Sequence, residues 1–205
     1  PARAGAGADR KFIAPGIIGM TILFTSTFSG MALLWDRQFG FLKETMVAPV
    51  PRLTIMVGRT VGGATVALFQ GLLVFLISLL AGLRPAHFLV VPAAILVMAL
   101  VALVFSAMGT IIGSSLKEMQ GFQIIMNFLV MPIFFLSGAL YPLRNLPVAL
   151  TVLTRIDPLT YGVDALRGVL IGTTHFGLGL DILALAVAAI VLLMLGALRF
   201  SKIEV

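Results

Sequence analysis

The sequence predicts an all-α integral membrane protein with five spans in a single domain, 1–205. Three observations carry that prediction. The 205-residue chain is 60% hydrophobic and only 11% charged, where a soluble domain carries about a quarter charged residues. Its apolar residues fall in five long blocks almost free of Asp, Glu, Lys and Arg. Those blocks lack the strict alternation that barrel strands would show. In hydrocarbon every backbone amide needs a partner within its own segment, and the helix supplies one.

The elements follow in order. Residues 1–11, PARAGAGADRK, are small, polar and basic. They have no apolar core and so do not read as a signal peptide. The chain starts at Pro1, and the expectation is that residues precede it. The first span is 12–34. At ~1.5 Å rise per residue, about 20 residues cross the hydrocarbon core. Thr21, Thr25 and Ser29 share one face of it at i, i+4 and i+8.

Next comes WDRQFGFLKETMVAPVPR, 35–52. Trp35, Phe39, Leu42 and Met46 form one helical stripe, so a short amphipathic helix is expected over 35–47. Asp36, Arg37, Lys43 and Glu44 occupy its other faces. Pro49 and Pro51 stop it and stiffen the turn into the next span. Two readings stay open for this helix. One is an interfacial anchor with Trp35 in the aromatic belt. The other is a docking helix for a soluble partner.

The second span is 53–83. Gly58 and Gly62 have small-xxx-small spacing, and Arg59 is expected to snorkel toward headgroups. The turn RPAH, 84–87, leads into a third span, 87–115, with Gly109 and Gly113 at the same spacing. The fourth span, 119–141, is rich in Met and Phe. Between 142 and 176 the chain is semi-polar and predicts two short helices. One follows Asn145 and Pro147. The other starts with Asp157 as N-cap and Pro158 at N1. Asp164 and Arg167 read as surface or headgroup charges three residues apart, within reach of a weak ion pair. The last span is 178–198, with Asp181 expected at the interface.

Composition excludes several functions. The net charge of +6 is spread between apolar runs, so no basic face for nucleic acid forms. There is no cysteine, hence no disulfide or thiolate metal site. His87 and His175 stand alone, and no metal ligation is expected. No G-x-x-x-x-G-K-[ST] phosphate loop occurs. The 14 basic residues divide evenly between the two sides of the bundle, so charge alone does not orient it.

The 35–52 segment resembles a signature of type-2 ABC transporter permeases, in the drug-resistance and nodulation-factor branch. The matching features are Asp36-Arg37, Gly40, the amphipathic run from Leu42 to Met46, and Ala48-Pro49-Val50-Pro51-Arg52. A second match is FFLSGALYPLRNLP, 134–147, followed by IDPLTYGVDALRG, 156–168. The resemblance covers the chain from Phe12 on. It implies six spans, one more than the five visible here, and a cytoplasmic C-terminus in the cell membrane.

It also implies that 35–47 is a coupling helix seated on a separate ABC ATPase subunit. Trp35, Asp36, Arg37, Phe39, Gly40, Leu42, Lys43, Glu44 and Arg52 would make that contact. ATP and Mg would belong to the ATPase, with no cofactor in this chain and no catalytic residue of its own. A second permease copy or a paralogue, and membrane lipid, would be the other partners. The 142–176 region would be a re-entrant outer hairpin marked by Tyr141, Pro142, Asp157, Pro158 and Tyr161. The alternative for that region is a surface loop with two interfacial helices.

Within that frame Thr21, Thr25 and Ser29 either line a path or bind helices together. Met131, Phe134 and Phe135 either form a greasy wall for cargo or contact lipid and core. The expected role is ATP-driven export of a hydrophobic or amphipathic substrate such as a drug, an antibiotic or a lipid. A glycan-export permease is the alternative. An intramembrane enzyme and a non-transporting scaffold are the rivals from other classes.

Overall fold

The computed structural model describes residues 2–41, 49–83, 90–140 and 148–200. All regular structure among them is helical. We number the helices α1 (Ala2–Phe28), α2 (Met31–Gln38), α3 (Arg52–Leu80), α4 (Val91–Ser115), α5 (Met119–Leu136), α6 (Val148–Ile156), α7 (Pro158–Ile171) and α8 (Leu178–Phe200). Five segments are long and apolar enough to cross a membrane: Phe12–Gln38, which joins α1 to α2, then α3, α4, α5 and Leu178–Arg199.

The central post is α4. It packs against α1, α2, α3, α7 and α8, and Val97, Met98, Val101, Ala102 and Phe105 are almost wholly enclosed. Such an all-round apolar helix belongs in a core or a bilayer, not at a water surface. The outer helices turn large apolar side chains outward. Phe69, Leu76 and Ile77 of α3, Ile124 and Phe128 of α5, and Leu183 and Met194 of α8 are all exposed. A belt of that extent suits lipid rather than water.

The first span is interrupted at Ser29 and Gly30. Its hydroxyls bond back onto the preceding turn: Ser26 Oγ donates to Ile22 O at 2.5 Å, and Thr21 Oγ1 to Ile17 O at 2.9 Å. This local bonding lets polar residues sit inside an apolar helix. At the break the chain crosses α4 very closely. A Cβ on Gly30 would collide with the carbonyl of Gly109, and one on Gly109 with the carbonyl of Thr27. The Gly109-xxx-Gly113 pair therefore does what its spacing suggested. Gly58 and Gly62 do not, since a Cβ on either would meet open space.

The helix expected over 35–47 differs from the structure at its start, 35–40, while 42–47 lie outside the described residues. Helix α2 already begins at Met31 and ends at Gln38. Phe39 caps it by donating its N–H to Trp35 O at 2.9 Å, and Gly40 takes φ +83°. That left-handed conformation suits glycine and ends the helix. Trp35 thus closes the first span instead of opening a separate helix. Leu42, Lys43, Glu44 and Met46 lie outside the described residues. Pro51 is extended at ψ 137° and starts α3.

Helices α6 and α7 sit at the end of the bundle away from Trp35. The two differ in kind. Helix α6 leaves Val152, Leu153 and Ile156 exposed, whereas Leu159, Val163, Ala165 and Leu166 of α7 are fully buried. Helix α7 lodges against α1, α4 and α8. At 14 residues it is about 21 Å long, too short to span hydrocarbon. It is enclosed by neighbouring helices, whereas α6 is largely exposed.

Candidate functional site

At the Trp35 end, three neighbouring residues tie the first span to three other elements. Asp36 Oδ2 forms an ion pair with Arg59 of α3. Trp35 Nε1 donates to Met119 Sδ of α5 at 3.2 Å. Arg37 donates to Leu116 O, in the α4–α5 connection, at 3.2 Å. The start of the segment after the first span is thus bonded to α3, to the α4–α5 connection and to α5. Arg59, expected to snorkel toward headgroups, turns its guanidinium to Asp36, and the pair is partly exposed. Phe39 and Phe41 are exposed beyond this cluster, at 71% and 56%. Arg52 is exposed at the start of α3.

Above the ion pair an open cleft of about 480 Å³ lies between the first span and α3. Phe28 and Leu33 form its apolar wall, and Thr25, Ser29, Arg59 and Thr110 its polar edge. The hydroxyls also hold helices together. Ser29 Oγ lies 3.2 Å from Ser106 Oγ, Ser106 Oγ donates to Thr60 O at 2.8 Å, and Thr25 Oγ1 to Gln70 Oε1 at 2.8 Å. Thr21 bonds only its own helix and is not among the cleft residues. The greasy set on α5 divides. Phe134 is buried edge-on against Phe24, while Met131 and Phe135 face outward at 48% and 52% exposure. The six residues thus do not converge on one site.

At the far end Asp157 caps α7, accepting from Leu159 N–H at 2.9 Å and from Thr160 Oγ1 at 3.1 Å. Its carboxyl is pushed up from 3.8 to about 7 by burial, against the lowering effect of these hydrogen bonds. Pro158 occupies N1, where its missing N–H costs nothing. Tyr161 Oη donates to Arg155 O at 2.7 Å and closes the hairpin. Tyr141 and Pro142 lie outside the described residues.

Asp164 and Arg167 correct the sequence expectation, since both are buried. Arg167 donates to Gly138 O at 2.7 Å and lies 3.9 Å over the Phe12 ring. Burial lowers it from 12.5 to about 10, with Asp164 pulling the other way. Asp164 accepts the N–H groups of His175 and Phe176 at 2.8 Å. Asp181, expected at the interface, is 0% exposed. Spacing alone gave no sign of this cluster.

These features describe a multi-pass helical bundle with a charged knot at its Trp35 end and a short buried helix at the other. The chain belongs to the ABC-2 type transporter family, whose profile matches residues 3–171. It is 31% identical over 158 residues to the inner membrane transport permease YadH of Escherichia coli strain K12, covering 77% of this chain and 61% of that protein. It is 27% identical over 172 residues to nodulation protein J of Rhizobium leguminosarum bv. trifolii, covering 83% and 65%. It is 27% identical over 165 residues to the putative transport permease ycf38 of Porphyra purpurea, covering 77% and 54%. The chain thus spans less than two thirds of each of these relatives.

Proposed function

We propose that this chain is the membrane-spanning subunit of an ATP-driven exporter, moved by a separate ATPase that binds ATP and Mg. The observation that carries the proposal is the knot at Asp36, Trp35 and Arg37, which joins three elements directly beside the exposed Phe39. Phe39 and the residues up to Arg52 form the ATPase contact on the cytoplasmic side, which also holds the C-terminus. The ATPase pushes there when it closes on ATP. The push is passed to α3 through Arg59 and to α4 and α5 through Leu116 and Met119.

The cargo is hydrophobic or amphipathic. Support comes from the lining of the cleft, which is mostly apolar, with Thr25, Ser29, Arg59 and Thr110 as its polar side chains. Two such subunits, identical or paralogous, complete the translocation unit. The transport-permease names of the YadH and ycf38 relatives agree with this reading.

The test is to replace Phe39 or Leu42 with Asp in the complex reconstituted in vesicles. ATP hydrolysis should persist while cargo movement per ATP falls at least about tenfold. Normal transport in both variants would overturn the assignment of this contact.

A further inference from the structure

The cleft between the first span and α3 carries its charge at one end. Among the described residues that line it, Arg59 is the only charged side chain. The other polar side chains there are hydroxyls, and each is already spent within the protein. Thr25 Oγ1 donates to Gln70 Oε1, Ser29 Oγ to Ser26 O at 2.6 Å, and Thr110 Oγ1 to Ser106 O at 2.9 Å. Arg59 differs. Its NH2 meets Oδ2 of Asp36, which is not a lining residue, and a guanidinium has further N–H donors to offer. The pair is partly exposed. A second anion can therefore reach the guanidinium and compete with Asp36 on nearly equal terms.

The apolar lining runs away from that charge. The first span and α3 are antiparallel here: Asp36 pairs with Arg59, Ser29 lies against Gly63, and Thr25 meets Gln70. Arg59 and Leu33 thus mark the Trp35 end of the cleft, and Phe28 and Val66 the end toward the middle of the span. From Arg59 to Val66 the helix rises about 10 Å. Val66, Phe69 and Leu73 are exposed and carry the apolar track further along α3. The volume of about 480 Å³ lies in the range that encloses a small organic molecule. There is room above the floor: Gly62 lines the cleft, and a Cβ on it would meet nothing within 4 Å.

We propose that this cleft seats a cargo molecule that is an anionic amphiphile, with its charged head on Arg59 and its apolar body along Phe28 and Val66. The head and Asp36 compete for the same guanidinium, so an occupied cleft slackens the tie between α2 and α3. This assignment rests on the reading of the chain as a transport subunit. Binding is measured without an ATPase, so the seat can fail while ATP-coupled transport stands.

The test uses the full chain in phosphatidylcholine nanodiscs and a dodecyl phosphate that carries a photoreactive diazirine in its chain. Label mapped by mass spectrometry should fall on residues 25–33 and 59–66. Plain dodecyl phosphate should compete it away. Dodecyltrimethylammonium, with the same chain and the opposite charge, should not. Arg59→Gln should weaken binding about tenfold or more, as loss of a hydrogen bond to a charged group does. Asp36→Asn should tighten it by up to about fivefold, as removal of a partly exposed competitor allows. Gly62→Leu should fill the cleft and abolish labelling, whereas Gly58→Leu, on α3 but outside the cleft, should leave it unchanged. Equal competition by the cation would overturn the site, and so would labelling that survives Gly62→Leu. Weaker binding in Asp36→Asn would overturn the competition for Arg59. Displacement of the label by phosphatidylglycerol mixed into the bilayer would make the occupant a resident lipid, which refutes a cargo seat.

Discussion

Gly30 and Gly109 hold two helix backbones in direct contact, and a methyl group at either would strike a carbonyl. Overpacking against backbone costs about 1–3 kcal/mol, so Gly30→Ala and Gly109→Ala should each lower thermal stability measurably in detergent. Gly58→Ala, with open space around its new methyl, should leave stability unchanged or slightly raised, because alanine favours helix by up to ~1 kcal/mol. Both glycine pairs have the same spacing in the sequence, and only the neighbouring helix tells them apart. The same limit applies to Asp164 and Arg167. Their i, i+3 spacing reads as a solvated pair, yet their partners are the N–H groups of the turn at His175 and Phe176 and the carbonyl of Gly138.

At the scale of single elements, the start of α7 was legible because a capping Asp followed by Pro is a local device. Asp157→Ala should cost about 1 kcal/mol, as loss of an N-cap does. Asp157→Asn keeps an oxygen for the cap but removes the charge. In the folded chain the Asp157 carboxyl sits at about 7 against an ordinary 3.8. A raised value means the folded hairpin binds the proton more tightly than the unfolded chain does. The stabilisation from this group is therefore complete below about pH 3.8 and is lost as pH rises through about 7. Thermal melts across that window should show a pH slope that Asp157→Asn reduces. The first residues of the 35–47 stripe, 35–40, misled for a related reason. Hydrophobic periodicity runs through Gly40 without interruption, but the backbone there is left-handed, and periodicity does not sense a single residue's φ.

For the whole molecule, the number of spans was legible from composition and their packing was not. Apolar blocks declare that they are helices in lipid, but an outward Phe135 and an inward Phe134 look alike on paper. The Asp36–Arg59 pair is partly exposed, at 25% and 27%, so its contribution to stability is about 1 kcal/mol or less. Its value would lie in what it connects. Asp36→Arg or Arg59→Asp alone should lower transport per ATP with little change in melting temperature. The double exchange should recover most of it, as double-mutant logic requires of a direct pair. Failure of the double exchange to recover transport would place the transmission elsewhere.

The interruption at Ser29 and Gly30 falls at the place where the first span is pressed hardest onto α4. The eight residues of α2 and the longer α1 are therefore two rods meeting at a pinned joint. The shorter rod carries Trp35, Asp36 and Arg37, which bind it to other elements, and the longer rod is pressed onto α4 at the pin. Under the proposed function, a stroke near Trp35 would reach the helices tied to it from the short rod alone, leaving the far half of the span packed.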